Sequence, residues 1–571
     1  MEFTDEQSKI ITSSGDIKIN AVAGAGKTST LIEYARTRPS GSKILYLAFN
    51  KSVRLEAIKR FTDNGLHNVD VETAHSLAYK QVIYQTNYRI RSQGYTTYEI
   101  VNLLKLQGGG EKHAEYVIGN HINRFVTFFC NSDKTKVSDL DYLATVNDPK
   151  SQEFVKKFYD YILHQTRIFL AKMNSGEIEI IHDFYLKKFQ LSSPQLHYDY
   201  ILFDEGQDAS AAMLDVFFKQ KATKVIVGDT HQQIYGWRYA INSLEKAEFK
   251  DYYLTSSFRF EQSIADLGRG IIEMKSIIGP SQPIKMVGCG KPSSIKSKAI
   301  IGRTNLGLLL KAIQYMTQNK QLKRIYFEGN INSYAYADEG ASLYDVLNLY
   351  NGKRHLIRDN LIRMMKDIDE LEEYVDNTED QQLGMMIGVV KEYGSEVPEI
   401  LKKIRDKHVE DADKYRAEMI FSTVHRCKGM EYDSVELVND FISKDKLEKI
   451  TESKKDDKPV DISKLIEEIN LLYVAVTRAK STLKIPKELI PIGFGGHSNI
   501  TIVKEETPIS PIKTKSTPLK AAYMPWTDEL DEELMDMYYA STPIKQLMEH
   551  FGRSYGAIKA RIEKLEAIDY Y

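Results

Sequence analysis

The stretch Asn20-Ala21-Val22-Ala23-Gly24-Ala25-Gly26-Lys27-Thr28 constrains the fold of this chain more than any other. It follows the short apolar-alternating strand Ile17-Lys18-Ile19 and opens onto a helical pattern from Ser29 to Ala35. A strand, a loop of small residues and a helix form the setting of a phosphate-binding loop. Small side chains let backbone N–H groups close around a phosphate, and the helix N-terminus adds its positive dipole end. Lys27 would reach the β- and γ-phosphates, and the Thr28 hydroxyl would hold a divalent cation. Ala21 stands where the usual pattern has glycine, a small change in bulk. Turns rich in Gly and Ala are common between strands and helices, so the loop needs a second feature beside it.

That feature is Tyr200-Ile201-Leu202-Phe203, an apolar run ending in Asp204-Glu205-Gly206-Gln207-Asp208. A buried strand that delivers two adjacent carboxylates at its C-terminal end suits a nucleotide hydrolase. Asp204 would hold Mg²⁺, and Glu205 would orient or deprotonate the attacking water. An acidic turn after a strand is frequent alone; with the loop it points to an NTPase that uses ATP and Mg²⁺.

At 571 residues the chain has room for several domains, and an apolar fraction of 42% supplies ordinary cores. No run of eighteen apolar residues suggests a membrane span, and the acidic start Met1-Glu2-Phe3-Thr4-Asp5-Glu6-Gln7 lacks a signal-peptide pattern. Cys130, Cys289 and Cys427 are too few and too far apart for a disulfide framework or a four-thiolate cluster. A reducing cytoplasmic compartment is expected, bacterial or that of a host cell. The net charge of −2 leaves any nucleic-acid surface to local basic and aromatic clusters.

Strand-like runs alternate with helical patterns in two blocks, which predicts an α/β fold of two parallel sheets covered by helices. The first block includes Lys43–Phe49, Tyr198–Phe203 and Lys224–Val227. The second includes Lys298–Ile301, Arg324–Phe327, Met419–Ser422, Ser434–Val438 and Thr482–Ile485. A helical insertion interrupts each. Phe154, Phe158 and Tyr161 mark one as a core stripe; Leu356, Leu361, Met364, Met365 and Ile368 suggest a helix face in the other. A charged loop is expected from Asp445 to Ser463. The resulting boundaries are 1–82 with 176–260 for the first sheet domain and 83–175 for its insertion. They are 261–332 with 412–490 for the second, and 333–411 for its insertion. An extended linker follows over 491–523, where Pro508, Pro511 and Pro518 lie among Lys, Ser and Thr.

Residues 524–571 read as a separate unit of three helices, over Trp526–Tyr539, Ile544–Phe551 and Ser554–Leu565. Thr527 would cap the first, and Leu530, Leu534, Met537, Ala557, Ile558, Ile562 and Leu565 would face inward. Gly552 turns the chain before a third helix made basic by Arg553, Lys559, Arg561 and Lys564. This looks like a Myb-like helix-turn-helix, which implies a DNA site or a protein partner.

Further motifs follow the carboxylates in order. They are Val227-Gly228-Asp229-Thr230-His231-Gln232-Gln233-Ile234-Tyr235-Gly236-Trp237-Arg238, Ser257-Phe258-Arg259, Thr423-Val424-His425-Arg426-Cys427-Lys428-Gly429-Met430-Glu431-Tyr432 and Leu472-Tyr473-Val474-Ala475-Val476-Thr477-Arg478-Ala479-Lys480. With Asp5-Glu6-Gln7 upstream, the set resembles superfamily 1A DNA helicases of the UvrD/PcrA/Rep type over roughly residues 1–490. Leu45-Tyr46-Leu47-Ala48-Phe49-Asn50-Lys51-Ser52 and Thr73-Ala74-His75-Ser76-Leu77-Ala78-Tyr79 resemble the F-box DNA helicase branch, with only the motor shared.

The resemblance implies two RecA-like domains of the P-loop NTPase fold, and it implies roles for single residues. Ala23, Gly24, Ala25, Gly26, Lys27, Thr28 and Ser29 would cradle the nucleotide, although Ser29 stands where many members carry a basic residue. Gln7 would read the adenine edge, Phe258 would stack on the base, and Glu431 would bind the ribose. Gln232 would sense the γ-phosphate. Arg259 and Arg478 would act as arginine fingers, from the wall of a cleft opposite Lys27. Phe49, Asn50, His75, Trp237 and His425 would contact single-stranded DNA. The implied activity is ATP-driven 3′→5′ translocation on single strands and unwinding of tailed or forked duplexes, in replication, recombination or repair. Two rivals remain: a translocase that strips proteins from single strands, and an ATP-switched regulator that reads a defined duplex site.

Overall fold

The computed structural model describes residues 2–504 except 111–112, 237–238, 240–241, 282, 293, 320, 335–340, 379 and 453–460. Towards the C-terminus it describes 528–539, 547, 550–551, 558, 561–562 and 565. The chain divides into two compact units, Met1–Glu506 and Thr507–Tyr571.

The first unit is built on two six-stranded sheets in which every pairing is parallel. One contains β1 (Ile17–Ala21), β2 (Ile44–Ala48), β3 (Val69–Thr73), β4 (Tyr200–Phe203), β5 (Thr223–Gly228) and β6 (Lys250–Leu254), in the order β3-β2-β4-β5-β1-β6. β7 (Ser256–Ser257) and β8 (Val287–Gly288) form a small pair beside it. The other contains β9 (Lys298–Gly302), β10 (Ile325–Phe327), β11 (Met419–Thr423), β12 (Tyr432–Leu437), β13 (Ala479–Pro486) and β14 (Ile500–Val503), in the order β10-β11-β9-β12-β13-β14. Parallel strands need crossovers that cover both faces, so the central strands are apolar throughout; Ile44–Ala48 and Met419–Thr423 are buried at every position. These are the two expected RecA-like sheets. One apolar core joins them, running from Ile17, Val225 and Val227 to Ala299, Val435, Leu472 and Val474.

Between β3 and β4 the chain is helical, with Thr97–Leu104, Ala114–Asn131 and Pro149–Ser175 as the main helices. Asp148 caps the longest, and Phe154 packs on Phe158 with ring centroids 4.8 Å apart against the core, as the stripe suggested. The insertion between β10 and β11 departs from expectation. Leu356 lies in the 3-10 turn Arg354–Leu356 and is exposed, and Leu361 and Met364 belong to the short helix Asn360–Met364. The chain leaves that helix at Met365, and Ile368 starts another helix, so the five residues do not share one face.

Two other stretches differ from the sequence reading. Lys444–Glu452, expected as loop, is helical, because Leu447 is buried and Lys444 pairs with Glu448 one turn on, at 3.0 Å. Within the expected 491–523 linker, β14 pairs residue by residue with Leu483–Pro486. No helix among the described residues is long and apolar enough to cross a membrane.

In the second unit, the helix Asp528–Tyr539 packs Leu534 with Leu547, Phe551, Ile558 and Ile562, and Leu530, Met537 and Leu565 lie partly buried beside them. Arg561, expected on a basic face, pairs with Asp531 of that helix, Nε to Oδ1 at 2.7 Å. Trp526, Thr527, Gly552, Arg553, Ala557, Lys559 and Lys564 lie outside the described residues.

Because β14 closes the second sheet, a chain truncated after Ile490 is expected to melt lower than one truncated after Lys504, by roughly 5 °C or more. It also aggregates sooner through the uncovered edge of β13. Equal melting curves by circular dichroism would contradict the pairing.

Candidate functional site at the C-terminal strand ends

Ala21 ends β1 in ordinary strand pairing opposite Leu254, which explains why alanine is tolerated where glycine was expected. The turn itself needs glycine. Gly24 and Gly26 have φ of 74° and 77°, the left-handed region, and a Cβ on Gly24 would sit 2.6 Å from the Arg259 Cβ. The helix Lys27–Arg36 then starts with no side-chain cap, leaving its first N–H groups available to a ligand.

Lys27 Nζ lies 2.8 Å from Glu205 Oε1. Burial works against the lysine's charge, but Glu205, Asp204 and Asp229 more than offset it and hold its pKa above the ordinary value. Glu205 is desolvated too, yet the Lys27 and Lys428 ammonium groups hold its carboxyl below the usual range. Its backbone has φ 53° and ψ 41°, the left-handed region and unusual for glutamate. Asp204 moves the other way: burial and the neighbouring Glu205 charge raise its pKa. Its Oδ2 accepts from the Thr28 hydroxyl at 3.2 Å and from the Tyr46 hydroxyl.

Thr28 and Asp204 fit a magnesium ion. They present one hydroxyl and one carboxylate, hard oxygen donors, and Mg²⁺ is commonly held by one or two carboxylates with water and phosphate completing its shell. Among the described residues no group of three or more His, Cys, Asp or Glu side chains makes a metal site of its own.

The second sheet brings residues to the same place. Arg478 is only 1% exposed; its Nη2 donates to Gln232 Oε1 at 3.2 Å and its Nη1 to the Met430 carbonyl at 3.2 Å. Burial and the nearby Arg259 charge lower its pKa to about 10, so it stays charged at neutral pH. Arg259 bridges rather than lining the far wall. Its main chain packs on Gly24, while its guanidinium reaches Glu431 at 2.9 Å and the Thr477 carbonyl at 3.1 Å. Phe258 N–H donates to Gly24 O at 2.9 Å, and the Phe258 side chain is half exposed beside Gly26. Gln7 is buried: its Oε1 accepts from Thr4 N–H and its Nε2 donates to Thr30 at 3.2 Å, leaving one amide N–H. Arg60 Nη2 donates to Ser29 Oγ at 2.9 Å, so a guanidinium from another helix stands at the position that lacks a basic residue.

The expected DNA contacts separate. Phe49 stacks on Tyr235 with centroids 5.4 Å apart, and the Tyr235 hydroxyl donates to the His425 carbonyl at 3.2 Å. Burial keeps the His425 ring neutral, lowering its pKa to about 4. Asn50 instead spends its side-chain oxygen capping the helix Lys51–Asp63. His75 lies 3.5 Å from Asp183. Trp237 lies outside the described residues.

Sequence reasoning missed the residues that tie these groups together. The Tyr473 hydroxyl donates to Asp229 Oδ2 at 3.2 Å and accepts from Ala23 N–H at 3.3 Å. Gln232 Nε2 donates to the same Asp229 oxygen at 2.7 Å. Lys428 pairs with Asp208, donates to the Gln232 carbonyl at 2.5 Å and lies over the Tyr235 ring at 4.9 Å. All stand inside the motif stretches; a polar side chain within an otherwise apolar run, as Tyr473 is, was the signal that could have singled one out.

Residues 3–252 match the family model described as the UvrD/REP helicase N-terminal domain. Over those residues the chain carries a domain of the UvrD/REP helicase kind. Among curated relatives, F-box DNA helicase 1 of Gallus gallus is 29% identical over 523 residues, 86% of this chain and 49% of the relative. F-box DNA helicase protein 1 of Schizosaccharomyces pombe is 30% identical over 530 residues, 84% of this chain and 57% of the relative. A probable DNA helicase of Mycoplasma pneumoniae is 23% identical over 523 residues, covering 85% and 83%. The chain spans about half the length of the first two relatives.

Tyr473→Phe leaves Ala23 N–H without its acceptor and removes a donor from Asp229. It is expected to destabilise the chain by about 1–3 kcal/mol and to weaken nucleotide binding; denaturant unfolding and nucleotide titration check both effects.

Proposed function

We propose that this chain is an ATP-dependent DNA helicase and single-stranded DNA translocase with 3′→5′ polarity, acting in replication, recombination or repair in the cytoplasm. The observation that carries the reading is the hydrogen-bonded link between the phosphate loop, Asp229, Gln232 and Arg478, which spans both sheets. In this reading the sheets with their 83–175 and 333–411 insertions form the motor, 491–523 holds the linker, and 524–571 serves as a helix-turn-helix that binds DNA or a protein partner.

Each residue then has a task. The N–H groups of Gly24 and of Gly26 to Thr28 and the Lys27 ammonium hold the phosphates of ATP, with Ala23 and Ala25 shaping the loop, while Phe258 stacks on adenine, Gln7 reads its edge and Glu431 binds the ribose. Thr28 and Asp204 would hold magnesium, which would supply positive charge beside the phosphates. Glu205, kept ionised by its cationic neighbours, accepts a proton from the attacking water. Arg259 and Arg478 stabilise the charge that develops in transfer, a contribution of about 10³–10⁵ in rate where such arginines have been measured. Gln232 joins that event to Tyr235 two residues beyond Gln233, and Phe49, Tyr235, His425, His75 and Trp237 hold the strand. Translocation requires the ATP-bound state to favour one register of DNA over the next.

Lys27→Ala is expected to abolish ATP hydrolysis while some DNA binding remains. ATP turnover with and without short single-stranded DNA, followed by unwinding of 3′- and 5′-tailed duplexes, tests the whole reading. Turnover that ignores single strands, together with sequence-specific protection of duplex DNA, would replace the motor with the ATP-switched regulator. Displacement of bound protein without strand separation would leave a translocase only.

A further inference from the structure

Beyond the residues assigned above, an aromatic strip leaves the strand ends of the first sheet. Ala48 of β2 and Thr73 of β3 are register partners, so Phe49-Asn50 and Ala74-His75 follow side by side at the carboxyl edge, where open parallel sheets bind their ligands. From there the helix Ala74–Val82 carries His75 and Tyr79 four residues apart on one face. Both meet Tyr185, His75 at 6.0 Å and Tyr79 at 5.9 Å between centroids, and Tyr79 meets Tyr84 at 5.5 Å. The four rings touch edge to face, so each contact covers at most one face of one ring.

These rings are not core. Tyr84 is 74% exposed and Tyr79 36%, whereas Tyr185 beneath them is buried. The polar groups around them are already engaged: Asn50 caps its helix, His75 faces Asp183, and Lys80 pairs with Glu72. What the surface still offers a ligand is ring area. Exposed ring area suits unpaired bases, which stack in any sequence. The strip continues from Phe49 and Tyr235, already stacked on one another at the proposed strand site.

Resting on the reading above, we propose that Tyr79 and Tyr84 extend the path of single-stranded DNA past the strand ends, each stacking on one unpaired base. The path then runs from Tyr235 and Phe49 across His75 and along the helix Ala74–Val82 to the turn Ile83–Gln85.

The test is equilibrium binding of the full chain to oligothymidylates of about 6 and about 20 nucleotides, the short and long sides of common site sizes. Tyr79→Ala and Tyr84→Ala should each weaken binding of the long strand by about fivefold or more, with little change for the short one. Tyr84→Trp, which keeps a ring, should bind the long strand like the parent chain. Unchanged affinity for the long strand in both alanine variants would overturn the proposal, as would an equal loss at both lengths. A loss confined to duplex DNA or to a protein ligand would also overturn it. If the unaltered chain binds neither strand, the reading of the protein as a single-strand motor fails first, a result distinct from failure of the extension alone.

Discussion

The structure turns on one buried hydroxyl. Tyr473, on the helix Ile462–Val476 beside the second sheet, reaches into the first and joins Asp229 to the main chain of the phosphate loop. A buried hydroxyl must find partners, because leaving one unpaired costs about 1–3 kcal/mol. The partners available here belong to the other sheet, so satisfying this one group aligns the two sheets across the cleft. Asn470, one turn earlier, does the same with the Gln233 carbonyl at 2.8 Å. A single helix thereby grips both ends of the segment Asp229–Gln233.

Charge reinforces the alignment. Asp204, Glu205, Asp208 and Asp229 come from the first sheet, and Lys428 and Arg478 approach from the second. Charges taken out of water destabilise the fold unless they are paired with good geometry. Lys428 answers Asp208 across the cleft, and Lys27 answers Glu205 within the first sheet. Burial still pushes Asp208 up to about 6, so this pairing is only partial compensation. In the proposed cycle a triphosphate offers Lys27 a stronger partner than Glu205. The exchange would free that carboxylate for water, so the pair that stabilises the cleft also holds the base in waiting.

How legible this was follows burial. Central strands were readable because both faces are covered, and Tyr200–Phe203 and Thr223–Gly228 stand out as apolar runs. Within the two large sheets the strands not foreseen were Val69–Thr73, Lys250–Leu254 and Ile500–Val503, all edge strands with charged, polar or exposed positions. The glycine turn before Lys27 and Thr28 and the strand ending in Asp204 and Glu205 stood out because each lies within one short stretch; that the two stretches meet is what the fold adds. Tyr473, Lys428 and Arg60 were not, since their roles depend on partners tens to hundreds of residues away. Asn50 shows the converse. A motif placed it at the strand site, but its side-chain oxygen is taken by the nearest helix terminus, a local demand that a motif does not reveal.

Coupling between the two ends of the site needs a connected element that both can bias. The segment Asp229–Tyr235 has that form. Its first residue takes hydrogen bonds from Gln232 and Tyr473 beside the phosphate loop, and its last carries the ring stacked on Phe49. Lys428 touches it twice, at the Gln232 carbonyl and over the Tyr235 ring. Arg478 holds the Gln232 side chain, so a γ-phosphate that competes for Arg478 would act directly on the middle of this segment. The segment is seven residues long, and Lys428, Asn470, Tyr473 and Arg478 anchor it from the second sheet. A displacement of the helix Ile462–Val476 would move the contact at Ala23 through Tyr473 and the Gln233 carbonyl through Asn470, two residues before Tyr235. That is the property a nucleotide-driven motor requires of its cleft.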